Sequence, residues 1–140
     1  KVLEQSKDNP LFYIQYAHAR IYSVLRHAIQ VFDRIVTTDN LESLKDESEL
    51  SLIKALIQWP RVIASAVIHL EPHRIANYLY DVAGAFHSLW NKGKENAELR
   101  FIEPNNPEHT AARITLIRAT ASIIAEGLHI LGIEPLEEMR

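Results

Sequence analysis

The sequence contains no cysteine and has only four glycines and six prolines in 140 residues. Without cysteine the chain forms no disulfide, offers no thiolate nucleophile and cannot build a cysteine-based zinc site. The scarcity of glycine and proline, with no low-complexity segment, excludes linker and collagen-like sequences and favours an ordered globular domain. The missing cysteines also fit a reducing compartment such as the cytoplasm.

Long hydrophobic runs and an excess of basic charge are missing as well. No apolar run reaches the ~18 residues that a membrane-spanning helix needs, and the polar residues 1–8 do not resemble a signal peptide. We therefore expect no membrane contact. The net charge is -3, whereas generic nucleic-acid-binding domains are usually basic. Acidic residues concentrate in 39–49, which we expect to be a solvated loop.

Motifs of enzyme active sites are also absent from the sequence. It contains no glycine-rich phosphate loop and no nucleophile elbow. His69 and His73 are four residues apart, but Pro72 lies between them and no nearby residue completes a metal-ligand set. The paired carboxylates Glu137 and Glu138 are not expected to serve as general acid and base. We expect neither catalytic residues nor a metal site in this chain.

Hydrophobic residues make up 47% of the chain and recur at helical intervals of three and four residues. Asn9-Pro10 suits a helix start, because an asparagine can cap and proline fits the first turn. The apolar stripe that follows predicts a helix to about Val36. Ser48 is expected to cap a second helix, which Trp59-Pro60 should kink or break before a third piece begins.

The second half of the chain predicts two more long helices. Pro72 opens the first, and Gly93 should end it. Asn106-Pro107 opens the last helix, and Gly132 stops it. Leu99-Arg100-Phe101-Ile102, in the irregular stretch between them, could be briefly extended. Long periodic helices, short connections and no strand pattern predict an all-α helical bundle of about five helices.

The helix that Pro72 opens is rich in aromatic and amide side chains. Several of them follow steps of seven, four and three residues and so share one helical face. Rings stack on unpaired bases, amides read base edges and lysines meet phosphate. The alternative is that Tyr78 and Trp90 are core residues with polar tips at the surface. The residues on the shared face are Tyr80, His87, Asn91 and Lys94.

Three blocks of the sequence, in order, resemble a known family. The first runs from Glu4 to Arg20, the second from Glu71 to Asn91, and the third from Ala112 to Met139. They resemble the C-terminal anticodon-binding domain of arginyl-tRNA synthetases, and the likeness covers nearly the whole chain. The first block departs from the usual pattern only where valines are replaced by Leu11 and Ile14.

The resemblance implies a helical bundle of the class I synthetase anticodon-binding type, a single domain in residues 1–140. Residues 1–20 would include the junction helix from a catalytic domain. Arginine tRNA and that catalytic domain are the expected partners, in a cytoplasmic monomer. Neither ATP-binding signature of class I synthetases is present. Ligation of arginine to tRNA with ATP and Mg²⁺ is therefore expected of the full-length enzyme, and this piece should be inactive and without a cofactor.

The resemblance also implies two sets of site residues. The first set would bind the anticodon, with the lysines on phosphate: Tyr80, His87, Trp90, Asn91, Lys92, Lys94 and Met139. The second set would line the junction with the catalytic domain and tRNA: Gln15, Tyr16, His18 and Arg20. The alternative for the second set is that Tyr16 packs and Arg20 pairs with an acid. Arg140 follows Met139, where family chains commonly end at the methionine.

A different class of function also stays open. The acidic run at 39–49, the pI of about 6.2 and the amphipathic helices are equally compatible with a helical scaffold for protein–protein interactions that binds no RNA.

Overall fold

The computed structural model describes residues 9–139, which form five α-helices and no strand. The central helix, α4, packs against each of the other four. The prediction of an all-α bundle of about five helices is confirmed. The elements are α1 (Pro10–Phe32), α2 (Glu47–Ile57), α3 (Trp59–His69), α4 (His73–Glu95), a 3-10 turn (Ala97–Leu99) and α5 (Pro107–Ile130).

The start of α1 follows the predicted signal. The Asn9 side-chain oxygen accepts hydrogen bonds from the amides of Leu11 at 3.1 Å and Phe12 at 3.3 Å, and Pro10 lies in the first turn. These bonds satisfy amides that a helix start otherwise leaves without partners. The helix is shorter than predicted, because Asp33 adopts a left-handed conformation with φ of 60°.

Both ends of α5 lie where the sequence places them. Asn106 accepts a hydrogen bond from the amide of His109 at 3.2 Å and so caps the helix. Gly132 has φ of 76°, a conformation that costs glycine little, and the amide of Ile133 then donates to the carbonyl of Leu128 at 2.8 Å. This bond closes a Schellman motif, which ends the helix and turns the chain back.

The start of α2 differs from the prediction. Its cap is Asp46, not Ser48, because the Asp46 carboxylate accepts the Ser48 amide at 3.0 Å. In return, the Glu49 carboxylate accepts the Asp46 amide at 3.1 Å. The two bonds form a capping box, in which the residue three positions after the cap satisfies the cap's own amide.

The Trp59-Pro60 step kinks the chain, as predicted. α2 ends at Ile57 and α3 begins at Trp59, whose ring stacks on Tyr78 of α4 with centroids 5.4 Å apart. The Tyr78 hydroxyl donates to the carbonyl of Ala55 at 2.6 Å, and burial raises its pKa to about 12. Tyr78 is therefore a core residue that joins α4 to the kink.

Gly93 does not end α4, which continues to Glu95. A side chain at this buried position would lie 3.1 Å from the carbonyl oxygen of Leu99 and 3.3 Å from the Cα of Arg100. Glycine is needed here because the following segment folds back onto the helix. That segment forms the 3-10 turn, so the prediction of an extended stretch at Leu99-Arg100-Phe101-Ile102 is wrong for its first residue.

By length and composition alone, one stretch within residues 9–139 could cross a membrane, namely Glu47–His69. The stretch is the kinked pair α2 and α3, and both helices pack against α4. Only 17% of its most apolar window is buried in the bundle, so packing accounts for part of the apolar composition.

A buried arginine joins three parts of the fold. Arg113 of α5 is 1% exposed and donates to the carboxylate of Glu49, also 1% exposed, at 3.0 Å. It donates as well to the carbonyls of Arg100, at 2.6 Å, and of Glu98. One side chain therefore ties α2, α5 and the turn after α4 together. Glu49 belongs to the acidic run that the sequence suggested to be a solvated loop, so that expectation is wrong at this residue.

A second acid extends this network towards the surface. The Glu103 carboxylate lies 3.3 Å from Arg113 and 3.2 Å from the imidazole of His109. The other ring nitrogen of His109 contacts the carbonyl of Ser43 at 3.2 Å. A buried ion pair is costly to break, because the charge that remains has lost its water and gained nothing in exchange.

We predict that Glu49→Gln lowers the free energy of unfolding by about 3 kcal/mol or more. Glutamine keeps the oxygen that accepts the Asp46 amide but removes the charge that faces Arg113. The loss of stability therefore reports the ion pair. Urea unfolding followed by circular dichroism measures it.

The matched control is Glu71→Gln. Glu71 pairs with Arg74 at 3.2 Å on the surface, where an ion pair contributes little. Unfolding curves that shift equally for the two variants would contradict the role assigned to the buried pair.

Candidate nucleic-acid interface

Aromatic rings from α1 and α4 meet in one row, called the ring row below, which consists of Tyr13, Tyr16, Tyr80, His87 and Trp90. The Tyr13 ring lies 4.9 Å from that of Tyr80 and 4.7 Å from that of His87, measured between centroids. Tyr16 lies 5.6 Å from His87. The tyrosines of α1 are three residues apart and so point to the same side of the helix. Tyr16 and Tyr80 are exposed at 37% and 39%, which leaves ring faces open to solvent.

Arg20 continues this row between two rings. Its guanidinium carbon lies 4.3 Å from the centroid of Tyr16 and 4.5 Å from that of Trp90. It donates to the Tyr16 hydroxyl at 2.6 Å and contacts Nδ1 of His87 at 3.2 Å. Within residues 9–139 no carboxylate pairs with Arg20. The alternative in which Arg20 pairs with an acid is therefore not what the structure contains.

His87 orients Arg20 as a neutral ring. The pKa of His87 is lowered to about 4, mainly because the ring is buried. The contact with the Tyr13 carbonyl opposes this shift, and the nearby positive charge of Arg20 adds to it. Because arginine can only donate, Nδ1 of His87 accepts and Nε2 carries the hydrogen. Nε2 then donates to the carbonyl of Tyr13 at 3.4 Å. The imidazole thus links the backbone of α1 to the guanidinium.

A cleft of about 680 Å³ follows the ring row towards the C-terminal ends of α1 and α4. This volume lies in the range of ~300–1,000 Å³ that is typical of small-ligand sites. The Trp90 and Phe101 rings are 6.0 Å apart and form an apolar wall. The cleft is lined by Ser23, Val24, His27, Trp90, Gly93, Lys94, Arg100, Phe101, Ile102 and Pro104.

The predicted anticodon residues of α4 fall on two sides of the helix. Tyr80, His87 and Trp90 lie in the ring row, and Lys94 lines the cleft beside it. Asn91 is exposed one turn after His87 and shares its side by helical spacing. Trp90 is half-buried, so it serves both the core and the surface.

Lys92 lies elsewhere. It is two residues from Lys94, which turns it about 200° around the helix axis. Its ammonium group is 3.1 Å from the carboxylate of Asp46 at the start of α2. That carboxylate also accepts the Ser48 hydroxyl and amide, and these bonds, with those of Lys92, lower its pKa to about 2. Lys92 therefore faces an acid that stays ionised, on the far side from the cleft.

The predicted junction residues also divide. Tyr16 belongs to the ring row and Arg20 continues it, whereas Gln15 and His18 are 6% and 2% exposed and face the C-terminal tail, residues 133–139. Gln15 and His18 are thus covered by this chain's own tail and open to no outside surface. Residues 1–8 of the predicted junction segment, and Arg140, lie outside the described residues.

Met139 is half-buried at the end of that tail. Two residues earlier, the carbonyl of Glu137 accepts a hydrogen bond from Arg26 of α1 at 3.2 Å. The end of the tail therefore lies beside the C-terminal half of α1. His27, the residue that follows Arg26 in this half, lines the cleft.

Sequence reasoning missed part of this interface. Tyr13, His27, Arg100 and Phe101 all contribute to the row or the cleft. The α1 residues follow helical spacing with Tyr16 and Arg20, so the spacing could have identified them. Nothing local indicates the other two, because they reach the cleft only through the turn that Gly93 permits. Within residues 9–139 no three histidine or acidic side chains are grouped as a metal site requires.

Comparison with known proteins gives a consistent result. The profile of the DALR anticodon binding domain family matches residues 14–139. Curated arginine–tRNA ligases of Brucella ovis and Rhodospirillum rubrum are 49% and 48% identical to the chain along its whole length. The chain spans only 25% of the length of each.

A solved structure shares the fold. The arginyl-tRNA synthetase of Thermus thermophilus superposes on 91% of this chain with a TM-score of 0.74 and 29% identity, using 21% of its own length.

The buried His87 predicts a pH dependence of stability. Its pKa is 6.5 when unfolded and about 4 when folded. Between these values the unfolded chain binds a proton that the folded chain excludes, so the free energy of unfolding should fall as the pH is lowered through this window. Above the unfolded value the contribution is complete. Urea unfolding at a series of pH values measures the fall, and His87→Gln should flatten it.

His73→Gln, which changes an exposed histidine of the same helix, should leave the pH profile as in the parent. Asp46, with a pKa lowered from 3.8 to about 2, loses its contribution only at more acidic pH. A profile that His87→Gln leaves unchanged in this window would contradict the buried neutral ring.

Proposed function

Because the chain belongs to the DALR anticodon-binding domain family, we propose that it binds the anticodon stem-loop of an arginine tRNA. It does so as a single domain, residues 1–140, of a cytoplasmic arginine–tRNA ligase. The full-length enzyme would join arginine to its tRNA with ATP and Mg²⁺, and the 140 residues alone would be inactive. The N-terminal part of α1 would adjoin the catalytic domain, and the enzyme would act as a monomer.

The observation that carries this proposal is the guanidinium of Arg20 between two rings, with no carboxylate partner among residues 9–139. A cation held by aromatic faces and a neutral imidazole keeps its full charge for a ligand. Two of its five N–H groups are engaged by Tyr16 and His87. The others remain to meet the edge of a base or a phosphate oxygen, which are the acceptors an RNA loop offers.

The rings around Arg20 provide the stacking partners. Sequence-specific RNA binding mostly targets unpaired loop bases, which stack on aromatic side chains and on guanidinium planes. Each stacked base contributes ~1–3 kcal/mol. Tyr80 and Trp90 supply the rings in our assignment, and the exposed amide of Asn91 reads a base edge. His87 is only 7% exposed and contributes by orienting Arg20.

The cleft next to the rings supplies charge for the RNA backbone. Lys94 and Arg100 line it, and we assign both to phosphate. Lys92 takes no part in this assignment because it pairs with Asp46. The tail brings Met139 to the same end of α1, so the methionine would contact the loop from the side.

One observation favours the second candidate function, a protein-interaction scaffold. The C-terminal end of α3 carries three exposed apolar side chains, Val67, Ile68 and Leu70, at 65%, 75% and 86%. Apolar surface of this kind is common at protein–protein contacts. This apolar surface lies on a different part of the bundle from the ring row. The scaffold would bind no RNA, so a measurement of RNA binding distinguishes the two candidates.

The proposal predicts that the chain binds a stem-loop with an arginine anticodon and discriminates at its central base. Arginine anticodons share a central cytosine. Replacing it should weaken binding roughly tenfold, as expected for one lost base-edge contact. The dissociation constant should be micromolar or higher, because the net charge is -3. This corresponds to a binding free energy of roughly -8 kcal/mol or weaker. Fluorescence anisotropy of labelled RNA measures both, and equal affinity for the two stem-loops would contradict base recognition.

The two neighbouring lysines provide a matched pair of variants. Lys94→Ala should weaken stem-loop binding and reduce the slope of log affinity against log salt by about 0.7, the value for one phosphate contact on a single strand. Lys92→Ala removes the same charge from the opposite side of α4 and should leave the slope unchanged. Titrations at several salt concentrations measure the slopes.

Equal slopes in the two variants would contradict the assignment of the cleft. Lys92→Ala is also a check on folding, because it releases the Asp46 carboxylate. Circular dichroism of both variants should show the helical signal of the parent.

A further inference from the structure

The C-terminal tail is held to α1 by side chains that bond only to its main chain. Gln15 uses both ends of its amide, donating to the carbonyl of Glu134 and accepting from the amide of Leu136, each at 2.9 Å. His18 donates from Nδ1 to the carbonyl of Leu136 at 2.6 Å. Arg26 donates to the carbonyl of Glu137 at 3.2 Å.

Side-chain burial holds the tail in part, since Ile133 packs against the core and Pro135 and Met139 are half-buried. The side chains of Glu134, Leu136 and Glu137 are exposed, Leu136 at 41%. Burial of the apolar surface of these three residues therefore contributes little, and the hydrogen bonds from α1 help to fix the main chain between 134 and 137. Gln15 and His18, in contrast, are almost fully buried beneath the tail. If the tail left, their polar atoms would lose these partners.

The tail lies next to the proposed RNA surface. Gln15 precedes Tyr16 of the ring row and Arg26 precedes His27 of the cleft. Successive residues are about 100° apart around a helix axis. The side of α1 that holds the tail therefore adjoins the side that faces the ligand. Along α1 the tail runs in the direction of the helix, since Gln15 bonds to residue 134 and Arg26 to residue 137.

We propose that Gln15 and His18 are positioning residues for RNA binding, which act by fixing the tail as one wall of the interface. This inference rests on the proposed function. It replaces the expectation that the two residues contact the catalytic domain or the tRNA directly. Because these hydrogen bonds go to main-chain atoms, they depend on the path of the tail backbone and not on the identity of the tail side chains. Met139, two residues beyond the last bond, is placed by them.

The experiment is a double-variant cycle on stem-loop affinity, measured with the arginine anticodon stem-loop by anisotropy. Gln15→Ala removes the side-chain amide, and Leu136→Pro removes the main-chain N–H that it accepts. Leu136→Pro should weaken binding about fivefold, the worth of one net hydrogen bond. Gln15→Ala should weaken it further, because it also breaks the bond to the Glu134 carbonyl. The double variant should bind no more weakly than Gln15→Ala, because both changes break the same contact.

Two variants serve as controls. Leu136→Ala keeps the main-chain N–H and should bind like the parent. Gln30→Ala makes the same substitution at an exposed glutamine of α1 and should do the same. His18→Phe, which keeps a ring beside Tyr22 but loses the bond to the tail, should weaken binding as Gln15→Ala does.

Amide hydrogen exchange at Leu136, measured without RNA, reports whether the hydrogen bonds from α1 hold the tail. Gln15→Ala should speed this exchange about tenfold or more while the helix amides keep their protection. Faster exchange with unchanged RNA affinity overturns the positioning role, as does weaker binding with unchanged exchange. A parent chain that binds no RNA overturns the proposed function, and exchange at Leu136 then shows separately whether Gln15 holds the tail.

Discussion

The buried ion pair between Arg113 and Glu49 fixes the geometry on which the interface depends. The guanidinium also holds the carbonyls of Glu98 and Arg100, so the turn after α4 cannot move away from α5. That turn places Arg100 and Phe101 beside Trp90. A change at Arg113, which holds the main chain of Arg100 but does not itself line the cleft, would therefore release one of its walls. Gly93 also keeps the turn close to α4, since a Cβ at this position would lie 3.1 Å from the Leu99 carbonyl oxygen and force the turn to shift slightly.

The same network explains how a chain of net charge -3 can present a basic interface. Glu49 and Glu103 face Arg113, and Asp46 faces Lys92. These acids are neutralised within the fold, away from the ring row. Arg20 of the interface, by contrast, has no such partner in the part of the chain that the structure describes. Net charge averages over both sides of the molecule and so conceals this separation. The local arrangement of charge, set by packing, is what a phosphate would meet.

Sequence patterns predicted the parts that depend on neighbours in the chain. Helix periodicity, the caps at Asn9 and Asn106, and the shared face of Tyr80 and His87 are all local properties. One failure was a missed local signal, the capping box that starts α2 at Asp46. The burial of two polar side chains could not be predicted, because it depends on distant contacts. Glu49 is buried because Arg113 meets it 64 residues later, and Gln15 is buried because the tail returns 119 residues later. Such pairings follow from tertiary packing, which no local pattern encodes. The site residues themselves stay predictions until RNA is bound.

The central claim is that unpaired bases stack on the ring row at Arg20 and Trp90. Tryptophan fluorescence tests it most directly, because the chain has two tryptophans and Trp59→Phe leaves Trp90 as the sole emitter. Phenylalanine at position 59 keeps a ring against Tyr78. Saturating arginine anticodon stem-loop should quench Trp90 emission, since a base would approach its ring. Binding of the stem-loop, seen by anisotropy of labelled RNA, with Trp90 emission unchanged would contradict the account.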